Sequence, residues 1–407
     1  MTIYKIIKNK ALPSFCSSNI DVLSSILFFC NLKKLPCLIE CTSNQVNQHG
    51  GYTGYTAKTF FREIQGISKK INFNKKMLFL GGDHLGPLPW KNKTKKIALK
   101  NSIKLIDDFL KYDYCKIHVD TSIKCKDDQN LDNEIIFYRT KEILNNKNIK
   151  KKIKNKFIII GTEVPLSGSG DSNKIIVTKK SQIKEEVLKF KRILKSLKFK
   201  SKKFGLVIEP GMKYMHSSIK KPNLKDFRQK KILSKKYNII YEAHSTDYQS
   251  IQILKKLVNN NFKFLKVGPE LTFNYARSLF YMHQIEKKFF KIQNSNLNKQ
   301  ILRSMIRDNR YWKGYYNPKN KKIFLNSKLD RMRYYFSYSL IKKSIKILQK
   351  NINNLKIKDN LLLLKKDLRK EFNEYHNYGL KNFEILKLIF ISKTLKKYYN
   401  ACGYKTN

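Results

Sequence analysis

Short apolar runs that end in ionisable residues recur along the first two thirds of this chain. One of them, at residues 238–241, stops at a polar stretch that begins with Glu242 and includes His244, and a helical pattern follows. Runs of about five β-rich residues that alternate with helical patterns are typical of βα units, which build a parallel sheet. Because such folds bind ligands at the carboxyl ends of their strands, we expect the polar strand ends to face one shared cavity.

Eight runs of this kind predict the fold class. The predicted strands span residues 12–16, 35–39, 77–80, 115–119, 157–160, 205–208, 238–241 and 262–265. The eight units occupy about 285 residues, which is the size of a (β/α)8 TIM barrel. An open, doubly wound sheet would also alternate strands with helices, but no Gly-x-Gly-x-x-Gly fingerprint follows the first strand. We therefore predict an α/β barrel domain over residues 1–290.

The pattern changes after residue 290, where strand-like runs stop. Helical patterns cover residues 302–309, 340–348, 361–372 and 383–399, so we expect an all-α C-terminal domain over residues 291–407. Two aromatic clusters, at 311–316 and 331–336, are interpreted as residues that pack against the barrel. Aromatic residues among basic ones can also stack on nucleobases, which is the alternative function for these clusters.

The formal net charge of +55 would ordinarily indicate binding to nucleic acid or to an anionic membrane. The excess is mostly Lys, is spread along the chain, and comes with abundant Asn and Ile, which A- and T-rich codons encode. We interpret the lysine excess as the result of a genome rich in A and T, with the added lysines lying on solvated faces of helices. We therefore expect neither a specific nucleic acid nor a membrane as a partner.

The cysteines and the apolar segments indicate a cytoplasmic protein. The seven cysteines are odd in number, and no Cys-x-x-Cys pair suggests a zinc ribbon, so we expect them to be reduced. The apolar stretch at 22–30 is interrupted by polar residues and is interpreted as a first amphipathic helix rather than a signal peptide. No apolar run reaches the roughly 20 residues that a membrane span needs.

Asp83 and His84 follow the third predicted strand together, and such a pair can supply a base and a metal ligand from one turn. The same pair can instead be a structural hydrogen bond. Barrel geometry would bring it close to other groups at strand ends, and charges at a buried edge need one another, a metal or a ligand to offset desolvation. We therefore predict a binding cavity at the mouth of the barrel. The converging groups are expected to be Glu40, Asp83, Asp120, Glu163, His244 and Lys266.

Roles follow from these residue types. Burial that lowered the pKa of Lys266 would make it a Schiff-base amine, whereas a salt bridge to Glu163 or Asp120 is the commoner role. Strand alternation places His118 opposite to its neighbours, and we expect it to make a hydrogen bond in the core. The candidate residues are Asp83, Glu163 and Lys266 for catalysis, Asn44, Gln45, Asp120 and Asp247 for substrate binding, and His84, His244 and Glu40 for a divalent metal, with zinc the candidate.

Several strings of residues occur here in the order in which a known family has them. Together they resemble the GatZ/KbaZ family, the accessory subunits of class II D-tagatose-1,6-bisphosphate aldolase, and the resemblance covers nearly the whole chain. After the string at Gly161, relatives tend to have a Gly-Gly-Glu turn where this chain has a Ser/Gly-rich rim loop. The strings begin at Glu40 (ECTSNQVNQ), Gly50 (GGYTG), Gly81 (GGDHLGP), Gly161 (GTEVP), Tyr241 (YEAHSTDYQ), Leu265 (LKVGP), Tyr311 (YWK) and Asp330 (DRMRYY).

The resemblance implies an aldolase-type TIM barrel with a helical C-terminal domain. It also implies an accessory role, in galactitol or N-acetylgalactosamine catabolism through tagatose 6-phosphate, for a chain that a zinc-dependent catalytic subunit needs for full activity and stability. A sugar phosphate is then the expected small-molecule partner, and a homo-oligomer stays open.

Two alternatives are weighed against the accessory role. In one, the chain is itself a metal-dependent sugar-phosphate aldolase or epimerase that uses the mouth residues. In the other, the stretch at 167–172 is the anion hole of a sugar kinase, but no phosphate-binding loop of the Gly-x-x-x-x-Gly-Lys-Ser/Thr type is present, so we interpret this stretch as a loop.

Overall fold

A computed structural model describes residues 2–162, 175–199, 204–225 and 227–406 of the chain. Eight parallel strands form a closed barrel in sequence order, and the last strand pairs with the first, with Leu12 opposite Phe264. The predicted (β/α)8 barrel is therefore confirmed, and an open sheet is excluded. The barrel strands are β1 Leu12–Cys16, β2 Cys37–Thr42, β3 Leu78–Leu85, β4 Tyr114–Asp120, β5 Phe157–Gly161, β6 Phe204–Val207, β9 Ile240–Ala243 and β10 Phe262–Val267, and a small hairpin pairs β7 Lys213–Tyr214 with β8 Ile219–Lys220.

Helices connect the strands and continue beyond the barrel. The predicted first amphipathic helix is α2 (Ile20–Leu32). The four helical patterns after residue 290 correspond to α11 (Leu297–Arg307), α13 (Ser339–Asn353), α14 (Lys366–His376) and α15 (Asn382–Ala401). Short helices that carry too few apolar repeats were not predicted. The helices are α1 Ile3–Asn9, α2 Ile20–Leu32, α3 Ala57–Lys70, α4 Lys95–Leu110, α5 Asn133–Asn145, α6 Lys147–Ile153, α7 Lys180–Ser196, α8 Phe227–Tyr237, α9 Ile251–Asn259, α10 Pro269–Phe289, α11 Leu297–Arg307, α12 Lys321–Asn326, α13 Ser339–Asn353, α14 Lys366–His376 and α15 Asn382–Ala401.

The interior of the barrel changes from apolar to ionisable along its axis. Side chains alternate along a strand, so every second residue faces inward. On β2 the inward series runs from Leu38 to Glu40, and on β10 it runs from Phe264 to Lys266. On β4 the inward series is Lys116, then His118, then Asp120. The ionisable end is the carboxyl end of the strands, where the sequence predicted a cavity.

The opposite end of the barrel is closed by α1, which the sequence analysis did not predict. Ile3, Ile6 and Ile7 of this helix are buried against the apolar layer of the barrel interior. A helix of seven residues is too short to be stable alone, so this packing is what maintains it. The apolar layer consists of Leu12, Leu38, Phe79, Phe157, Ile159, Val207 and Phe264.

The C-terminal helices confirm the predicted all-α extension, and α15 packs along α2, α9 and α10 of the barrel. The Tyr399 hydroxyl donates a hydrogen bond of 2.7 Å to the carbonyl of Pro36, and Lys387 Nζ lies 3.0 Å from Asp21 Oδ1. The division at residue 290 stays a prediction: α10 ends at Phe289, but the extension and the barrel share one hydrophobic core.

None of the helices among the described residues combines the length and the apolar character that crossing a membrane requires. The seven cysteines are all unpaired, and five of them are buried.

The packing of α1 predicts a measurable loss of stability when its buried face is truncated. Ile7→Ala should lower the free energy of unfolding by about 2–5 kcal/mol, because a fully buried Ile leaves a cavity when it is cut back to Ala. Lys8→Ala changes an exposed neighbour in the same helix and should cost less than about 0.5 kcal/mol. Urea denaturation of the three proteins measures the difference, and equal midpoints for both variants would show that α1 does not close the barrel.

Candidate functional site

The deepest ionisable group in the barrel is Lys116. Its Nζ lies 2.5 Å from Glu40 Oε1 and 2.6 Å from Glu242 Oε2, and all three side chains are fully buried. Burial alone would lower the pKa of Lys116, but the two carboxylates raise it above its usual range. Gly81 makes room for this arrangement, because a Cβ there would lie 2.6 Å from Glu40 Oε1. The three groups therefore form an ion triad across the barrel.

Asp83 lies nearer the mouth. His118 Nδ1 is 2.9 Å from Asp83 Oδ1, and the Lys266 ammonium contacts the same oxygen. Burial would raise the pKa of Asp83, but His84, Lys266 and His118 hold it well below its usual range. Asp83 is therefore an ionised carboxylate that the protein itself neutralises.

His244 connects this layer to the triad below. Its Nε2 lies 2.9 Å from Glu242 Oε1 and 3.2 Å from Lys266 Nζ. Burial and the charge of Lys266 lower the pKa of His244 well below its usual range, so the ring is neutral at pH 7. The rings of His84, His118 and His244 lie with their centroids 4.9 to 5.3 Å apart.

Asp120 orients His84 rather than lining the cavity. Its Oδ2 lies 2.9 Å from His84 Nδ1, and its Oδ1 accepts a hydrogen bond of 2.6 Å from the Ser122 hydroxyl. His84 has a φ of +47°, a left-handed conformation that non-glycine residues rarely adopt. The backbone near the end of β3 is therefore held in an unusual conformation that brings the imidazole to the mouth.

The other predicted ligand-binding residues occupy different positions. Asn44 and Gln45 line the cavity, as does Asp247. Asp247 Oδ1 accepts hydrogen bonds from the backbone N–H groups of Gly268 (3.0 Å) and Glu270 (2.8 Å), so this carboxylate holds the start of α10. Burial raises the pKa of Asp247 to about 6. Glu163 and the stretch at 167–172 lie outside the described residues.

A divalent metal was predicted at His84, His244 and Glu40. The structure groups His84 and His244 with Asp83 and His118, with ligand atoms within 4.8 Å of one another, and places Glu40 with Asp83 and Glu242 instead. Three imidazoles and a carboxylate are a donor set that zinc accepts. However, the Lys266 ammonium contacts Asp83 and lies 3.2 Å from His244 Nε2, and a second cation there would be repelled. The arrangement therefore does not fit a resident zinc ion.

Among the described residues, Lys266 forms its salt bridge with Asp83 rather than with Asp120, and the other predicted partner, Glu163, lies outside them. The Lys266 ammonium also lies 3.8 Å from Glu242 Oε1, whereas Asp120 is bound by His84. Burial would lower the pKa of Lys266, but these carboxylates raise it, so the amine is protonated. A Schiff-base role needs the opposite shift.

A cavity of about 690 Å³ lies between the mouth and the C-terminal extension. Asp83, His84 and Lys266 line its barrel side, while Arg331 and Arg333 line the side of the extension. The aromatic clusters pack against the barrel as predicted, since the Tyr334 ring of the extension lies 4.7 Å from that of Tyr52 after β2. The extension therefore forms one wall of the site.

Sequence reasoning missed several residues of the site. The alternation rule that turned His118 inward also turns Lys116 inward, and a lysine at an inward strand position requires buried carboxylates. Glu242 was noted as a strand end without a role. The cluster at 331–336 drew attention for its aromatic residues, but nothing in the local pattern places Arg331 and Arg333 at the site, because their place depends on how the extension folds back.

The ion triad predicts a pH-dependent effect of removing its cation. At pH 7, Lys116→Met should lower the free energy of unfolding by about 3–5 kcal/mol, because Glu40 and Glu242 stay buried without the ammonium that both of them bind. Their pKa values then rise in the folded state, so folding takes up protons and the deficit should shrink as the pH falls from 7 towards 5. Lys104→Met removes an exposed lysine paired with Asp108 and should cost less than about 1 kcal/mol. Denaturant titrations at several pH values measure both effects, and a deficit independent of pH would contradict this account.

Comparisons with known proteins agree with this architecture. A model of the D-tagatose-1,6-bisphosphate aldolase subunit GatZ/KbaZ-like family matches residues 2–403. The D-tagatose-1,6-bisphosphate aldolase subunit GatZ of Escherichia coli O6:K15:H31 is 32% identical over 347 residues, which are 82% of each chain. The subunit of the same name from Salmonella enteritidis PT4 is 32% identical over 346 residues, again 82% of each chain.

Two solved structures are similar as well. One is a probable tagatose 6 phosphate kinase from Sinorhizobium meliloti 1021, with a TM-score of 0.85 and 27% identity over 96% of this chain and 100% of that one. A fructose-bisphosphate aldolase from Campylobacter jejuni, with a TM-score of 0.50 and 14% identity over 85% of this chain and 89% of that one, shares the fold alone. The family match spans the barrel and the extension together, and this chain belongs to the GatZ/KbaZ-like family.

Proposed function

We propose that this chain is the accessory subunit of a D-tagatose-1,6-bisphosphate aldolase. In this role it binds a separate class II catalytic subunit in the cytoplasm and raises that partner's activity and stability, in galactitol or N-acetylgalactosamine catabolism. The names of the family and of its relatives at 32% identity support the assignment. The cavity of about 690 Å³ is large enough for a sugar phosphate, and we propose a sugar phosphate as the small-molecule partner.

The observation that carries the accessory role is the position of Lys266. A class II aldolase needs a zinc ion with three protein ligands and an open position to polarise the ketose carbonyl. Here an ammonium contacts Asp83 and lies 3.2 Å from His244 Nε2, amid the residues that would hold such an ion. Strand β6, which precedes Glu209, contains no histidine that could be a further zinc ligand. The backbone N–H of Glu209 donates a hydrogen bond to Thr178 Oγ1. The barrel thus neutralises its mouth with its own cation.

The alternative, a sugar-phosphate enzyme in its own right, would use Asp83 and Lys266 together with Glu163. The present geometry favours it less. Asp83 is held ionised by its neighbours, and Lys266 is held protonated, so the two form an ion pair rather than a free base and a free amine.

An accessory role requires only that a surface of this chain bind the folded partner in preference to its unfolded state. Such binding shifts the partner's folding equilibrium by mass action. None of the cavity residues is needed for it. The effect on the partner should therefore not depend on the residues at the mouth of the barrel.

The experiment is co-purification with a class II tagatose-bisphosphate aldolase subunit, followed by assays of each chain alone and of the mixture. The chain alone should not cleave D-tagatose 1,6-bisphosphate at a useful rate. The mixture should exceed the catalytic subunit alone in activity and in half-life at elevated temperature.

Variants of the mouth test the division of labour. Asp83→Asn and His244→Gln should leave the activation of the partner nearly intact, because the binding surface is unchanged. If either variant abolishes turnover while the two subunits still assemble, this chain is catalytic and the accessory role is wrong.

A further inference from the structure

We propose that the C-terminal extension supplies a phosphate-binding subsite on the wall of the barrel cavity, formed by Arg331, Arg333 and Lys342. Through it, the chain binds a phosphorylated sugar with the phosphate at the extension and the hydroxyl groups at the barrel mouth. The choice of sugar rests on the proposed function, whereas the anion subsite rests on the geometry alone.

The charges that line the cavity do not balance. Each carboxylate that lines it already has partners: Asp21 is bound by Lys387 and Tyr275, Asp83 by Lys266, and Asp247 by two backbone N–H groups. Over the described ranges, no carboxylate forms a salt bridge with the lining cations Arg333, Lys91, Lys342 and Lys346. The wall therefore carries positive charge that the lining acids do not neutralise.

The Arg333 guanidinium has N–H groups left over for a ligand. Its Nη1 donates to the carbonyls of Leu329 (2.7 Å) and Asp330 (2.8 Å), and its Nη2 donates to the Tyr334 hydroxyl (2.8 Å). A guanidinium has five N–H groups. Those on Nε and one on Nη2 have no acceptor in the part of the chain that the structure describes. Nε and Nη2 share one edge of the guanidinium, and such an edge binds two oxygens of a phosphate group.

Aromatic packing holds the wall in place before a ligand arrives. The Arg331 guanidinium lies 3.3 Å from the centroid of the Tyr315 ring, and the Arg331 backbone N–H donates to the Tyr316 hydroxyl at 2.9 Å. The Tyr334 ring stacks on Tyr311 with centroids 4.8 Å apart and planes 8° apart. A subsite held by its own aromatic packing loses little conformational entropy on binding.

The opposite side of the cavity suits a sugar rather than a second large anion. Asp83 and His84 there can exchange hydrogen bonds with hydroxyl groups, and Lys266 can donate one to a carbonyl or hydroxyl oxygen. A ligand with one phosphate and several hydroxyl groups complements both sides. The ligand class is therefore a small phosphorylated sugar, and the proposed function makes it a keto sugar.

Titration calorimetry on the full chain alone tests the proposal with D-tagatose 6-phosphate, D-tagatose and inorganic phosphate as probes. The sugar phosphate should bind at least about 30-fold more tightly than either of the other two. Arg333→Gln should weaken its binding about 10- to 100-fold, because a charge-assisted hydrogen-bond pair is lost. Arg333→Lys keeps the charge but not the two-donor edge, so its affinity for the sugar phosphate should lie between that of Arg333→Gln and that of the unchanged chain.

The matched controls lie on α13. Lys342→Gln changes a lining residue and should weaken binding of the sugar phosphate about 2- to 5-fold at low salt, because an exposed cation contributes modestly. Lys343→Gln changes the next residue, which does not line the cavity, and should alter binding less than 2-fold. Since Arg333 also binds backbone carbonyls, thermal unfolding of each variant is measured in parallel. If Arg333→Gln does not fold, Lys342→Gln and the three probes on the unchanged chain decide the matter.

Three outcomes would overturn the proposal. Inorganic phosphate could bind as tightly as the sugar phosphate, which would mean an adventitious ion only. D-tagatose could bind as tightly as its phosphate, or a folded Arg333→Gln chain could bind the phosphate without loss. All measurements omit the aldolase partner, so failed activation of the partner with intact binding would refute the accessory role alone.

Discussion

The structure depends on the burial of one lysine and two carboxylates inside a closed barrel. Lys116, Glu40 and Glu242 come from β4, β2 and β9, strands that do not neighbour one another, so their contact needs the whole barrel to be closed. A buried charge without its partner costs several kcal/mol. A register slip of one residue in any of the three strands would turn its charge towards the apolar helices. The triad therefore selects one register out of the many that an apolar pattern alone would allow.

The layers on either side of the triad differ in purpose. Below it, aromatic and aliphatic side chains fill the barrel and α1 covers them, and this apolar packing stabilises the fold. Above it, carboxylates and imidazoles alternate with lysine in a site that remains compensated without a ligand. The mouth thus contains carboxylate, imidazole and amine groups of the kinds that enzymes use, and here these groups bind one another and hold the mouth in one shape. This view accounts for the presence of ionisable strand ends in a chain whose family is that of an aldolase subunit.

Most of the fold could be predicted from the sequence. The eight strands follow from apolar runs of strand length, and β1 was predicted at Leu12–Cys16, as observed. β3 extends to Leu85, beyond the predicted end at residue 80. The prediction stopped there because Gly81 and Gly82 lack side chains that favour a strand, but both residues still pair with β2 and β4. Helix α1 and the β7–β8 hairpin are too short for a periodic pattern and exist because neighbouring elements support them.

The site was less predictable than the barrel. Strand ends indicate which residues meet at the mouth, but they do not tell which acid meets which base across a distance of many residues in sequence. Lys266 binds Asp83 rather than Asp120, and Glu40 lies in the triad rather than with His84. Arg331 and Arg333 became part of the site through the fold of the extension, which no local spacing reports. Pairing across a barrel is a tertiary property, and it needs the structure.

The position of α15 has a consequence for how the chain folds during synthesis. Contacts such as Tyr399 with Pro36 and Lys387 with Asp21 join residues more than 360 positions apart. The first βα unit leaves the ribosome long before the helix that covers it, so apolar surface on α2 stays exposed until synthesis is nearly complete. Contacts between such distant residues slow folding and prolong the interval in which aggregation competes. A chaperone that shields α2 during that interval would therefore raise the yield of folded protein more than one that acts after release.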